Sequence, residues 1–363
     1  MSQITKVESA LYRIPLPRLL ADSTHHTISH FELVTTTIGD ADGHEGVGYT
    51  CTVDSGGTAI EALVRDYLAP RLAGKDAARI NELWQQLWWA VHYGGRGGQS
   101  SLAIAALDIA LWDLAARRAG APLWQHLGGF DPAVPCYAGG VDLHLGTDDL
   151  LRQADGFIEQ GFRAIKMKAG RPLLSEDVQR VEAMRRHVGD AFPLMADANM
   201  RWSADQAIRA ARALAPYGLV WLEEPTIPDD FAGHARIVRE GVHPIAAGEN
   251  LHSLYEFKEL IAQGGVTFPE PDVTTCGGVT VFMKIAALAE AFNLPVTSHG
   301  AHDITVHLLA AAPNRSFLEV HGFGLDRFID SPMKIEDGKA IASNAPGHGV
   351  AFNRPALEPY RRR

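Results

Sequence analysis

Asp197, Glu223 and Glu249 stand 26 residues apart, and each closes a short apolar run: FPLMADAN, GLVWLEEP and PIAAGEN. An interval of that length is one strand, one helix and their two connections. The stretch between the first two runs, ADQAIRAARALAPYG, has the apolar spacing of an amphipathic helix. Further runs continue the series on both sides: PCYAGG, FRAIKMK, VTFPEP, LPVTSH and SFLEVHG. Roughly eight such units predict a parallel (β/α)8 barrel over residues 131–323. An open doubly wound sheet is the competing fold. It is disfavoured because polar residues recur at the strand ends and no glycine-rich loop joins a strand to a helix. GGRGG at 94–98 follows a helical segment and lacks the GxGxxG spacing.

Residues 1–130 read differently. ALYRIPLP and FELVTTTIGDADGHEGVGYT alternate as strands, the second turning at DADG. GTAIEALVRDYLAPRL, INELWQQLWWAVHY and SSLAIAALDIALWDLAARRAG follow with helical periodicity, the last ending at Gly120 with Pro122 beyond. Residues 324–363 show no barrel period and are expected to pack back on the N-terminal part, with Arg361, Arg362 and Arg363 as a solvated tail. The expected architecture is therefore α/β: a modified TIM barrel with an α+β N-terminal capping domain completed by the C-terminal tail.

Bulk properties narrow the partners. A formal net charge of −10 disfavours nucleic acid and anionic membranes. No stretch is expected to reach the apolar length of a membrane span, and MSQITKVESALYRIPLP lacks the apolar core of a signal peptide. Cys51, Cys136 and Cys276 are widely spaced with no CxxC, which argues against a disulfide framework or a structural zinc site. The expected compartment is the cytoplasm.

Strand ends form the mouth of a barrel, where active sites are built. Three carboxylates delivered to one rim repel each other unless a cation sits among them. Taken singly, each would be a solvated strand end or a helix cap; the constant spacing favours a metal site. All-oxygen ligation with room for water and substrate favours Mg²⁺ over zinc. Asn199 is in phase with Asp197 and either aids binding or serves the structure, whereas Glu224 and Asn250 are expected to point the other way. FRAIKMK carries Lys166 and Lys168 on one face of its strand. Beside a metal, one ammonium lowers its neighbour's pKa, leaving Lys168 able to act as a base while Lys166 binds a substrate carboxylate. Asp272, His299 and Glu319 end the next strands. A histidine held by an aspartate suits acid–base work, although a lone histidine is more often structural. A zinc hydrolase using His299, His302 and His307 lacks the HExxH spacing.

These residues resemble the enolase superfamily in its mandelate racemase/muconate lactonizing enzyme branch. The resemblance rests on KMK at 166–168, DAN at 197–199, WLEEP at 221–225, GEN at 248–250, PD at 271–272 with GG at 277–278, SH at 298–299 and LE at 318–319. It implies Mg²⁺ held by Asp197, Glu223 and Glu249. It also implies opposed acid/base groups at Lys168, assisted by Lys166, and at His299, oriented by Asp272, with Glu319 bonded to the substrate carboxylate. A homo-oligomer is implied as well. Every chemical position is filled, which argues against a non-enzymatic binding protein. Specificity is expected from the cap loop LADSTHHTISHF (19–31) with His25 and His26, from Tyr93 to Arg96, and from Trp88 and Trp89. That polar loop fits a polyhydroxylated acid, although both histidines could equally be merely exposed. The expected activity is proton abstraction beside the carboxylate of an acid sugar followed by β-elimination: an acid-sugar dehydratase, or alternatively a cycloisomerase opening 3,6-anhydro-galactonate, or thirdly a racemase or epimerase. HFELVTTTI, HYGGRGG, CYAGGVDL, GENLH and LEVHGF are similar to the cycloisomerases of that branch.

Overall fold

The computed structural model describes residues 2–362, apart from the side chain of His26. Strands β1 (Ile4–Asp22), β2 (His26–Asp40) and β3 (Glu45–Val53) form an antiparallel meander. The supposed cap loop 19–31 is thus the end of a long β1–β2 hairpin, with only Ser23–His25 as its turn. Alternation carries on through its polar residues because each strand has a paired neighbour. The helix Gln99–Arg118 packs against the meander. It approaches so closely that a Cβ on Gly48 would lie 2.1 Å from the carbonyl oxygen of Ala106, so only glycine fits there. Thr36 Oγ1 donates to that same carbonyl at 2.6 Å.

This helix corrects one expectation: it is long enough to span a membrane, with a mean hydropathy of 1.2 over 18 residues. Of that window 78% is buried inside the fold, so its apolar surface serves the cap core and the cap–barrel seam.

Eight parallel strands follow: β4 (Ala133–Gly139), β5 (Ile165–Lys168), β6 (Leu194–Asp197), β7 (Leu222–Glu223), β8 (Ile245–Ala247), β9 (Phe268–Pro269), β10 (Val296–Ser298) and β11 (Arg315–His321). Each pairs in parallel with the next from β4 to β9, and β10, β11 and β4 continue the sheet. The ring nearly closes between β9 and β10, where His299 N donates to Pro271 O at 3.4 Å. On β5, Ile165 and Met167 face the surrounding helices while Ala164 and the two lysines face inward. The barrel floor is filled by Tyr137, Met195 and Trp221, with Phe268 and Phe317 beside them.

The last residues tie both parts together. β12 (Lys334–Glu336) and β13 (Lys339–Ile341) form a hairpin on β4, and β14 (Arg361–Arg362) pairs with β1. Arg361 and Arg362 are therefore an exposed edge strand rather than a frayed tail, because β1 offers them an unpaired edge; Arg363 lies outside the described residues.

Gly48→Ala is expected to destabilise the protein by about 2 kcal/mol or more, since the clash is with helix backbone that cannot rotate away. Urea unfolding followed by circular dichroism checks it; a midpoint unchanged from wild type would show that the cap can separate from its helix without loss.

Candidate active site

The barrel registers set the geometry. Lys168 lies opposite Asp197, and Asp197 opposite Glu223, so a lysine and two acids share one layer at the carboxyl ends of β5, β6 and β7. Glu249 arrives from just beyond β8. One oxygen from each of Asp197, Glu223 and Glu249 falls within 4.8 Å of the others. Lys166 Nζ bonds the carboxylate of Glu223, reaches Glu319 Oε1 at 2.7 Å and stands 3.7 Å from Asp197 Oδ2. Lys168 Nζ bonds the Asp197 carboxylate, and its backbone N–H donates to Asp142 Oδ1 at 3.0 Å. Trp221 Nε1 donates to Glu223 Oε2 at 2.9 Å from the floor below.

His299 completes the far side. Its Nδ1 lies 2.9 Å from Asp272 Oδ2, and its Nε2 is 3.4 Å from Glu249 Oε2 and 3.7 Å from Glu319 Oε2. Gly300, at φ 55°, lets the chain turn here; a Cβ would sit 2.5 Å from Asp272 Oδ2 and break the dyad. Thr274 donates to Asp272 Oδ1 through both its backbone N–H and its hydroxyl, at 2.7 Å each, which fixes the aspartate.

Charge and burial oppose each other throughout. Burial works to strip the proton from Lys166, but Glu223 and Glu319 outweigh it and raise its pKa well above the lysine range. Lys168 is likewise raised: burial and the charge of Lys166 lower it, and contact with Asp197 wins. The expected depression of Lys168 is thus present as a contribution but reversed in sign, because a carboxylate lies nearer than the neighbouring ammonium. Burial lifts Glu223 to about 8, helped by Asp197 and Glu319 against Lys166. Burial would deprotonate His299, yet Glu249 and Glu319 raise it well above the imidazole range.

Asp197, Glu249, Asp272 and Glu319 stand against Lys166, Lys168 and His299, and a fifth acid, Glu223, is pushed up to about 8 by burial among them. Buried Glu249 Oε2 and Asn199 Oδ1 have no hydrogen-bond donor. Hard oxygen donors, crowded acids that outnumber the bases and acceptors without donors fit one Mg²⁺.

A cavity of about 330 Å³ opens above this floor. Lys168, Asn199, Glu249, Asp272, His299 and Glu319 form its catalytic end. Apolar side chains from the cap and from beyond β11, Ile28, Phe31, Leu102, Phe323 and Leu325, line it together with polar Thr52, Asn250, His252 and Thr275. His25 lines it too, but its Nδ1 is 2.9 Å from Asp22 Oδ2, which raises the histidine. The hairpin tip is held down by Ser23 Oγ, which donates to Ala198 O at 2.7 Å, and by Thr24 Oγ1 on Asn199 O. The polar loop therefore spends much of its polarity internally. The side chain of His26 lies outside the described residues.

Arg96 is exposed and, like Tyr93, Trp88 and Trp89, does not line the cavity. Trp88 and Trp89 instead pack on His92, at 5.0 and 4.8 Å between ring centroids, beside a separate groove. Glu224 and Asn250 were expected to face away and do not. Glu224 takes φ 36°, which ends the strand alternation, and both its oxygens accept from Asn250 Nδ2 at 3.0 Å. His321, Tyr49, Asp22 and His302 also line the cavity without having been singled out as site residues. Period-two spacing from Glu319 along β11 was the available signal for His321.

A barrel with three acids at successive strand ends, a lysine pair to one side and an aspartate-held histidine to the other defines the enolase class of proton-abstracting enzymes. Residues 149–356 match the enolase C-terminal domain-like family, and residues 7–128 match the mandelate racemase/muconate lactonizing enzyme N-terminal domain. The chain belongs to the mandelate racemase/muconate lactonizing enzyme family. It is 57% identical to a 3,6-anhydro-alpha-L-galactonate cycloisomerase of Streptomyces coelicolor, over 96% of this chain and 97% of that protein. A magnesium-bound racemase structure from the same organism superposes with a TM-score of 0.97 at 55% identity, covering 99% of this chain and 100% of that one. An L-talarate dehydratase of a Polaromonas species, solved with Mg and L-glucarate, gives 0.95 at 36% identity, covering 100% and 98%.

Removing divalent ions with EDTA is expected to lower the melting temperature, and Mg²⁺ to restore it, by the equivalent of about 2.7 kcal/mol at a hundredfold excess over Kd. Glu249→Gln should remove most of that response in a thermal scan. An equal response in the variant would place the ion elsewhere.

Proposed function

We propose that the chain catalyses the Mg²⁺-dependent cycloisomerisation of a 3,6-anhydro sugar acid of the galactonate class. The observation that carries this is the division of the cavity into a charged floor and an apolar outer wall. Among the described residues lining it, Lys168 is the only lysine or arginine. The distal carboxylate of a diacid such as galactarate would meet no such cation at the outer wall. An open-chain acid carries a hydroxyl on every carbon beyond its carboxylate, and those set against Ile28, Phe31 and Phe323 would go unpaired. The anhydro acid has two of those oxygens replaced by one ether, which an apolar wall accepts.

The chemistry follows from the two ends of the acidic row. What Mg²⁺ at Asp197, Glu223 and Glu249 supplies is compensation for the negative charge that builds on the substrate carboxylate. Lys166 donates to that carboxylate from the floor, held by Glu319, which would bond the carboxylate itself only as a protonated acid. Lys168 Nζ would take the C2 proton on giving up its bond to Asp197. The electron pair of the broken C2–H bond forms the C2=C3 bond. The C3–O bond of the ring breaks, and the departing oxygen takes a proton from His299 Nε2 and becomes the C6 hydroxyl. His299 suits that role because Glu249 and Glu319 keep it protonated and Asp272 fixes its orientation. Ketonisation of the enol, with a proton added at C3, yields a 2-keto-3-deoxy acid. Loss of a free hydroxyl in place of the ring oxygen would be the dehydratase outcome of the same first step.

Proton NMR in D₂O with Mg²⁺ separates these outcomes. The 2-keto-3-deoxy acid is expected from 3,6-anhydro-galactonate and not from galactonate or galactarate. Product from an open-chain acid alone would make the enzyme a dehydratase, and deuterium at C2 without elimination would make it a racemase or epimerase. Lys168→Ala and His299→Asn should each lower kcat by about 10²-fold or more while the Mg²⁺-dependent thermal shift persists.

A further inference from the structure

Beside the three carboxylates lies a second donor set of different chemistry. His299, Glu319 and His321 each present one ligand atom within 4.8 Å of the others. The two imidazole rings stand 5.4 Å apart and are inclined by 34°. Two imidazoles with one carboxylate suit a borderline metal such as Zn²⁺ better than Mg²⁺.

Two of the three donors are also held in place. His299 Nδ1 is tied to Asp272 at 2.9 Å, which leaves Nε2 between Glu249 Oε2 at 3.4 Å and Glu319 Oε2 at 3.7 Å. A carboxylate behind an imidazole is the support that metal-binding histidines commonly have. Glu319 is fixed by Lys166 at Oε1, 2.7 Å away, and by the backbone N–H of Gly300 at Oε2, 3.2 Å away. His321 Nδ1 is buried and has no hydrogen-bond partner. Nothing in the acid–base chemistry above uses that nitrogen. All three residues line the cavity, so a fourth coordination position would open toward substrate or water.

We propose that His299, Glu319 and His321 form an inhibitory Zn²⁺ site, adjacent to the Mg²⁺ carboxylates and distinct from them. Zinc there takes the Nε2 lone pair of His299, displacing its proton to solvent, and leaves no acid for the departing oxygen. It also occupies Glu319, which positions Lys166 for the substrate carboxylate. Inhibition would therefore persist at saturating Mg²⁺, because the two ions share no ligand.

The test uses the whole enzyme saturated with Mg²⁺. Crystals soaked in Zn²⁺ are expected to show anomalous scattering between His299, Glu319 and His321, with the Mg²⁺ position retained. Co²⁺, used as the spectroscopic probe in solution, should give d–d bands whose affinity falls about 100-fold in His321→Ala. His321→Asn serves as a second variant, and the Mg²⁺-dependent thermal shift reports that each is folded. Zinc located among Asp197, Glu223 and Glu249, no zinc at the histidines, or Co²⁺ affinity within about twofold of wild type in the folded variants would each overturn the proposal.

Discussion

Two buried ammonium groups among buried carboxylates are the constraint on which the rest of this molecule depends. Lys166 and Lys168 are 1% and 6% exposed, and Asp197 and Glu223 are fully buried. Removing such charges from water costs several kcal/mol per ion, and only close, well-oriented partners offset that. β5, β6 and β7 meet the requirement by register: their parallel pairing puts Lys168, Asp197 and Glu223 level. A shift of one residue in any of these strands would turn a charge into the apolar layer under the helices.

The floor below explains why the charges stay in position. Tyr137 and Trp221 pack edge to face at 5.4 Å between ring centroids, with Phe268 and Phe317 around them. Trp221 also holds Glu223 by its indole N–H, and the Tyr137 hydroxyl donates to Glu270 Oε1 at 3.1 Å. The aromatic plug is therefore both hydrophobic core and a set of aimed donors. Glu270 is raised well above the carboxylate range, first by burial and then by the charge of Glu223. Asp197, Glu223 and Glu249 then remain as the set that calls for a divalent ion.

Much of this was legible in the sequence because the barrel repeats. A recurring strand–helix alternation exposed the eight strands, and the residues closing them exposed Lys166, Lys168, Asp197, Glu223, Glu249, Asp272, His299 and Glu319. What was not legible depended on departures from the repeat. Glu224 left the alternation by adopting a positive φ, which no spacing announces. The hairpin ending at Asp22 looked like a loop because its residues are polar, while their partners lie more than a hundred residues away at Ala198 and Asn199. Arg96, Trp88 and Trp89 were expected to set specificity, and the helix Ile80–Val91 turns the tryptophans toward another groove.

The cap and the barrel divide the labour, and their joints show how. Tyr49 on β3 donates to Asp303 Oδ1 at 2.6 Å, and Thr280, at the start of a barrel helix, donates to Asp108 of the cap through both its N–H and its hydroxyl. These buried bonds lock the apolar wall of Ile28 and Phe31 at one distance from the charged floor. A barrel that keeps its acids and bases can then change substrate only by changing that wall. On the function proposed above, the floor removes the proton beside the carboxylate, and the wall selects which molecules arrive with their remaining polar groups satisfied.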